Sequence, residues 1–255
     1  MLDRQAFLRP IAHRGLHDAA SGIVENTAPA FEAAIARGYG IECDLQPAAG
    51  GTPLVFHDFK LERLTTGSGR VDSLQPGCAA RLPFKGAPIT GILTFAGLLD
   101  LVAGRVPVLA EIKSDWSEPN PAFMAGIAML TTSYAGPLAL MSFDPAVMAA
   151  MRNLAPGVPR GIVTGSYRDP DGKPWYPDEL SDARRTALAN LEESVPADPY
   201  FYAYDVRALP SPVAKRIRDD LGLPLFTWTV RTEQDRRVAA QHADAPIFEG
   251  FAPEL

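Results

Sequence analysis

Four short stretches carry residue types that could do chemistry together. His13 and Arg14 close one apolar run, and His57 and Asp58 close another. Between them "ECD" sets Glu42 and Asp44 two residues apart, and much later "EIK" does the same for Glu111 and Lys113. On a strand, a two-residue spacing sends both side chains to one face, roughly 6.5 Å apart. Carboxylate oxygens suit a hard divalent cation such as Mg²⁺ or Ca²⁺. Buried together without one, Glu42, Asp44 and Glu111 would repel. Arg14, with its forked donors, and Lys113, a point charge, are natural clamps for an anion. Three carboxylates, a divalent ion and two cationic side chains leave one net positive charge, which a phosphodiester would neutralise. His13 and His57 supply a general base and a general acid, since imidazole titrates near neutral pH. The set reads as metal-assisted phosphodiester cleavage, with the division of labour between the histidines left open.

Alternating strands and helices must position these groups. Strand-like runs are Pro10–His13, Gly40–Leu45, Leu54–His57, Pro107–Ile112, Leu138–Ser142, Gly161–Thr164, Phe201–Val206, Leu225–Val230 and Pro246–Phe248. Helix-like runs follow most of them: "NTAPAFEAAIARG" after the first, then Leu93–Ala103, Pro121–Thr131, Pro145–Asn153, Asp178–Glu193, Ser211–Asp220 and Thr232–His242. This alternation predicts a parallel sheet covered by helices. Nine strands are one too many for a (β/α)₈ barrel. "QPAAGGT" is too short for a helical crossover, so the second and third runs should form a hairpin. The expected fold is therefore a TIM-like (β/α)₈ barrel, distorted near its second strand. A doubly wound open sheet is the alternative, but no GxGxxG follows the first strand. In parallel barrels reactive groups sit at the carboxyl ends of strands, where each piece of the set falls. The connection Gly165–Pro177 is long enough to overhang a pocket.

Length and composition set bounds. At 255 residues and 47% hydrophobic, the chain can bury a large core as one domain, 1–255. A net charge of −6 argues against a nucleic-acid partner. No signal core and no bilayer-length apolar run are present, so a cytoplasmic protein without integral membrane segments is expected. Two cysteines make no disulfide framework, and Cys43 reads as an apolar filler. His17, four residues after His13, has a zinc-like spacing only on a helix, which Gly15 argues against; a surface-loop role is expected. Each piece also has a plainer reading: Glu42 and Asp44 as a wet strand face, Glu111 and Lys113 as an internal ion pair, Trp228 as core.

The chain resembles the glycerophosphodiester phosphodiesterase family in "AHRG" (12–15), "ENT" (25–27), "ECD" (42–44), "VFHD" (55–58), "ERLTTGSG" (62–69) and "EIK" (111–113). Weaker echoes are "SFD" (142–144) and "WTV" (228–230). The resemblance implies a TIM-like barrel that hydrolyses glycerophosphodiesters to glycerol 3-phosphate and an alcohol with a divalent metal. It places the catalytic pair on His13 and His57, the metal ligands on Glu42, Asp44 and Glu111, and the phosphate contacts on Arg14 and Lys113. Glu25 would brace the site, Phe143 and Trp228 would belong to the pocket, and a small insertion would span about 59–88. The nucleophile would be water or a hydroxyl of the substrate's own glycerol; the oligomeric state is left open. The chain departs from the family at its last strand, where "PIFEGFAP" replaces a Thr-Asp-x-Pro turn. Glu249 is expected there to shape the pocket wall without touching the chemistry. The turn "PAAGGTP" also lacks the usual charged Lys-Asp-Gly. Alternatives are a lysophospholipid phosphodiesterase on the same barrel and an inactive binding protein. A barrel glycosidase is disfavoured by the histidines and the cationic clamp.

Overall fold

The computed structural model describes residues 1–87 and 91–254, and nine strands among them form one sheet. They are β1 (Ile11–Ala12), β2 (Gly40–Pro47), β3 (Pro53–Val55), β4 (Val108–Ile112), β5 (Leu138–Ser142), β6 (Arg160–Thr164), β7 (Phe201–Asp205), β8 (Leu225–Val230) and β9 (Ala245–Phe248). β1 pairs in parallel with both β2 and β9, so the sheet closes into an eight-stranded parallel barrel with flanking helices. β3 is the extra strand, antiparallel to β2 through Leu45–Val55 and Gln46–Leu54. The tight turn before β3 needs Gly51, whose φ is +86°. A methyl there would lie 2.7 Å from the Phe123 backbone nitrogen.

Two apolar layers hold the barrel. Outward strand residues such as Ile41, Cys43 and Ala110 pack with Phe31, Phe95 and Ile127 of the surrounding helices. The helix Ala28–Ala36 starts where Pro29 fits its first turn, and it buries Ala30, Phe31 and Ala34, with Ile35 at the edge. Inside, Ile11, Leu109, Met141, Phe201, Phe226 and Ile247 fill the barrel, joined by Leu2 and by Phe7 of the helix Arg4–Phe7.

The strand period carries this inner face onward to the mouth. Two residues beyond Ile11 comes His13; beyond Leu109 come Glu111 and then Lys113; beyond Met141 comes Phe143; beyond Ile247 comes Glu249. An apolar floor thus gives way to a polar rim at the carboxyl ends of the strands.

The insertion leaves the barrel after His57. Bridges join Lys60 to Arg70 and Thr65 to Phe84, and Leu61, Val71 and Phe84 share a small core with Leu54 and Phe56. Its expected end at Pro88 lies outside the described residues. The fifth helix-like run, Asp178–Glu193, is shorter in the structure, Asp182–Ala189, because the Ser181 hydroxyl caps it by accepting from the Arg184 nitrogen. No helix among the described residues is long and apolar enough to cross a membrane.

Candidate active site

Neighbouring strands bring the acids together. In the β2–β4 ladder Asp44 stands directly opposite Glu111, and Glu42 lies one pleat below Asp44. All three are buried, and they offer one oxygen each within 4.8 Å of one another. Asp44 is braced by Asn26, whose Nδ2 donates to Oδ2 at 2.8 Å while its Oδ1 accepts from the Asp44 nitrogen at 3.3 Å. Glu42 Oε2 accepts from the Arg14 backbone nitrogen at 2.8 Å, but Glu42 Oε1 is buried with no hydrogen-bond partner among the described residues. Burial, then the charges of Asp44 and Glu111, push Glu42 well above the usual carboxylate range. Burial also acts on Asp44, but the charges of Lys113, His57 and Arg14 outweigh it and hold Asp44 well below that range. Buried oxygens only, one of them orphaned, and more negative charge than the neighbouring ammonium offsets: this donor set fits a hard divalent cation.

Both cations face these acids. Lys113 Nζ lies 2.8 Å from Asp44 Oδ1 and 2.6 Å from Glu111 Oε1. Arg14 Nη1 donates to Glu25 Oε1 at 2.7 Å, and its Nε lies 3.3 Å from Asp44 Oδ2. The turn that aims Arg14 is strained, with φ of +55° at Arg14 and +78° at Gly15. A methyl on Gly15 would sit 2.8 Å from the Ala30 carbonyl carbon, so only glycine fits.

Each histidine is held by a carboxylate. His13 Nδ1 is 2.5 Å from Glu249 Oε2 and Nε2 is 4.0 Å from Glu42 Oε2. Burial dominates His13 and lowers its pKa to about 4, against the pull of Glu249, so the ring is neutral at pH 7. Burial would raise Glu249, but hydrogen bonds from His13 and Arg231, with the His17 ring close by at 3.6 Å, hold it well below the carboxylate range. As an anion Glu249 only accepts, which assigns the proton to His13 Nδ1 and leaves Nε2 with a free lone pair. His57 Nδ1 is 2.7 Å from Asp58 Oδ1. Arg63 of the insertion grips Asp58 at 2.5 and 3.0 Å and Glu25 at 2.7 and 3.0 Å. His57, Asp58, Arg63, Glu25 and Arg14 therefore form one continuous polar chain.

A cavity of about 520 Å³ opens on these groups. His13, Arg14, Glu42, His57, Glu111 and Lys113 line one side. Phe143, Trp175, Tyr176 and Trp228 line the other, packed edge to face with Phe143 centroids 5.3–6.3 Å from its neighbours. Trp175 and Tyr176 belong to the connection Gly165–Pro177, which does overhang the pocket.

The expected residues thus surround one cavity, except Asp44, which lies beneath it, and Glu25, which reaches it only through Arg14 and Arg63. Glu249 departs from its expected place: it lines no part of this cavity and binds His13 instead. Its position two residues past Ile247 on the inner face was the signal for that contact. Arg63 and Asn26 also emerge as site residues that the sequence did not single out, and Asp58, named there without a role, gains His57 and Arg63 as partners. Asp58 and Asn26 were visible beside His57 and in "ENT", but Arg63 offered no periodic signal.

The Glycerophosphoryl diester phosphodiesterase family profile matches residues 13–248. No curated protein sequence matches the chain. Solved structures share the fold. An Oleispira antarctica phosphodiesterase in complex with the product sn-glycerol-3-phosphate is 18% identical with a TM-score of 0.72, covering 94% of this chain and 92% of that one. A Silicibacter pomeroyi protein, provisionally assigned as a glycerophosphoryl diester phosphodiesterase, is 25% identical with a TM-score of 0.72, over 95% and 90%. The Thermotoga maritima glycerophosphodiester phosphodiesterase is 19% identical with a TM-score of 0.68, over 95% and 94%.

Proposed function

The chain belongs to the glycerophosphoryl diester phosphodiesterase family, and from that premise we propose how its residues hydrolyse a glycerophosphodiester to glycerol 3-phosphate and an alcohol. It is a phosphoric diester hydrolase. The observation that carries the residue assignment is the meeting of three buried carboxylates and two carboxylate-held histidines at one cavity. The Oleispira relative's complex with sn-glycerol-3-phosphate supports a small-molecule product of this kind.

In this reading Glu42, Asp44 and Glu111 hold one divalent cation, Mg²⁺ or Ca²⁺. When bound, such an ion supplies Lewis-acid polarisation of a phosphoryl oxygen and activation of the nucleophile. Arg14 and Lys113 face the same cavity and hold charge that develops on the phosphoryl group. His13, beside Glu42, accepts the nucleophile's proton at Nε2, while Glu249 keeps the Nδ1 proton in place and stabilises the imidazolium that forms. His57 is the more exposed ring, 32% against 12%, and it protonates the alcohol that departs toward solvent. Asp58, fixed by Arg63, orients it. The aromatic wall excludes water on the leaving-group side.

That wall also favours a second reading, a lysophospholipid substrate whose acyl chain lies on Phe143, Trp175, Tyr176 and Trp228. Incubation with glycerophosphocholine and, separately, lysophosphatidylcholine tests both. Glycerol 3-phosphate from the first supports the primary reading; lysophosphatidic acid from the second alone would replace it.

A further inference from the structure

We propose that His13, His17 and Glu249 form a second metal site, for a borderline transition cation of the zinc type, and that filling it switches the reaction off. The second half rests on the role proposed for His13; the first does not. One imidazole nitrogen from each histidine and a Glu249 oxygen lie within 4.8 Å of one another. His17 Nε2 is 3.6 Å from Glu249 Oε2, and it is shielded from water with no hydrogen-bond partner among the described residues. A tetrahedral ion with bonds near 2.0–2.1 Å holds its donors about 3.3 Å apart. The His17–Glu249 pair already stands within a few tenths of that, and the 2.5 Å His13–Glu249 contact has only to open by about 0.8 Å. Arg231 occupies Glu249 Oε1 and leaves Oε2 for the ion.

Donor chemistry separates this site from the carboxylate triad. Two imidazoles and one carboxylate match the three-ligand zinc sets that leave a fourth position to water, whereas an all-oxygen triad selects harder ions. His13 to His17 runs through the Gly15 turn, so the pair converges by loop geometry and by β9, without a helical repeat. His17 and Glu249 stand outside the reaction cavity, so substrate does not block them.

Occupation has a defined consequence. The metal forms a bond to His13 Nδ1 and breaks the Nδ1–H contact with Glu249. The ring proton moves through solvent to Nε2 and the imidazole stays neutral. Nε2 then donates a hydrogen bond and can no longer accept the nucleophile's proton.

The test uses wild type, His17→Ala and His17→Gln under saturating Mg²⁺. Zinc is titrated against a chromogenic chelator, and Co²⁺ is added separately to read the visible bands of four-coordinate cobalt. Wild type should bind one tight zinc equivalent and show the cobalt bands; both variants should lose both. Removing even an outer-sphere partner of a metal ligand costs 10–100-fold in affinity, so losing a direct ligand should cost at least about tenfold. In the activity arm, zinc should inhibit wild type without relief by further Mg²⁺. Each variant, measured against its own zinc-free rate, should need at least about tenfold more zinc for half-inhibition. Equal zinc binding by wild type and variants, or none by wild type, overturns the site. Inhibition that Mg²⁺ relieves, or that the variants share, overturns the switch. If no diester is cleaved at all, the function is wrong while the binding arm still decides the site.

Discussion

Replacing Glu249 with alanine removes the acceptor that holds the proton on His13 Nδ1, at 2.5 Å. Glu249 does not line the cavity itself, and of the lining residues its side chain contacts His13 and Arg231. A hydrogen bond to a charged group contributes about 1.5–3 kcal/mol. At about 1.4 kcal/mol per factor of ten, Glu249→Ala should lower kcat by about 10- to 150-fold. His13→Ala should cost more, about 10²–10⁴-fold, since it removes proton transfer itself. Release of glycerol 3-phosphate under saturating metal measures both, with KM unchanged in Glu249→Ala. Arg231 also binds Glu249, so Arg231→Ala is the control: its side chain is 54% exposed, and loss of such a pair should cost under about fivefold. A loss below threefold in Glu249→Ala, or one confined to KM, would refute the positioning of His13 by Glu249.

Other expectations follow from the same geometry. His57→Ala should recover most of its rate on a diester with a p-nitrophenyl leaving group, which departs unprotonated, whereas His13→Ala should not; equal rescue of both would remove the division of labour. Asn26→Ala frees Asp44 Oδ2 and should weaken Mg²⁺ affinity by about 10–100-fold in calorimetric titration, with unchanged affinity counting against the brace. Gly15→Ala forces a methyl into Ala30 at positive φ and should lose about 1–3 kcal/mol in denaturant unfolding; a neutral effect would contradict the turn. Asp58 is acted on first by burial, which raises it, but His57 and Arg63 lower its pKa below the unfolded value. Its contribution to stability is therefore present above about pH 4 and lost as pH falls through the folded value. Wild type should lose more Tm between pH 5 and pH 3 than Asp58→Asn, and parallel losses would refute the pairing.

The barrel was legible because strand and helix write different periods. Leu138–Ser142 and Leu225–Val230 are bounded in the structure where their apolar runs end. The surplus strand was legible from chain length alone, since seven residues cannot carry a crossover helix. Strand ends were less so: the run Leu54–His57 is strand only over Pro53–Val55, with the Phe56 nitrogen still donating to the Asp44 carbonyl before the chain enters the insertion. The acids, histidines and cations were legible because inner-face parity points them at one mouth. Their partners were not. His13 and Glu249 are 236 residues apart in sequence, and only barrel closure makes β1 and β9 neighbours. Arg63 sits in an irregular stretch whose side-chain directions follow no period, so its bridge between Glu25 and Asp58 exists only in three dimensions. The same holds for His17, whose approach to Glu249 depends on the Gly15 turn.

The central claim is metal-assisted cleavage at the Glu42–Asp44–Glu111 triad. It is tested most directly by glycerol 3-phosphate release from glycerophosphocholine after EDTA treatment, with Mg²⁺ or Ca²⁺ restored, in wild type and Glu111→Gln. Turnover that EDTA abolishes, that the cation restores in wild type, and that Glu111→Gln recovers only at much higher cation concentration is the predicted result. Undiminished turnover in EDTA, or folded wild-type protein that releases no product with either cation, would contradict it.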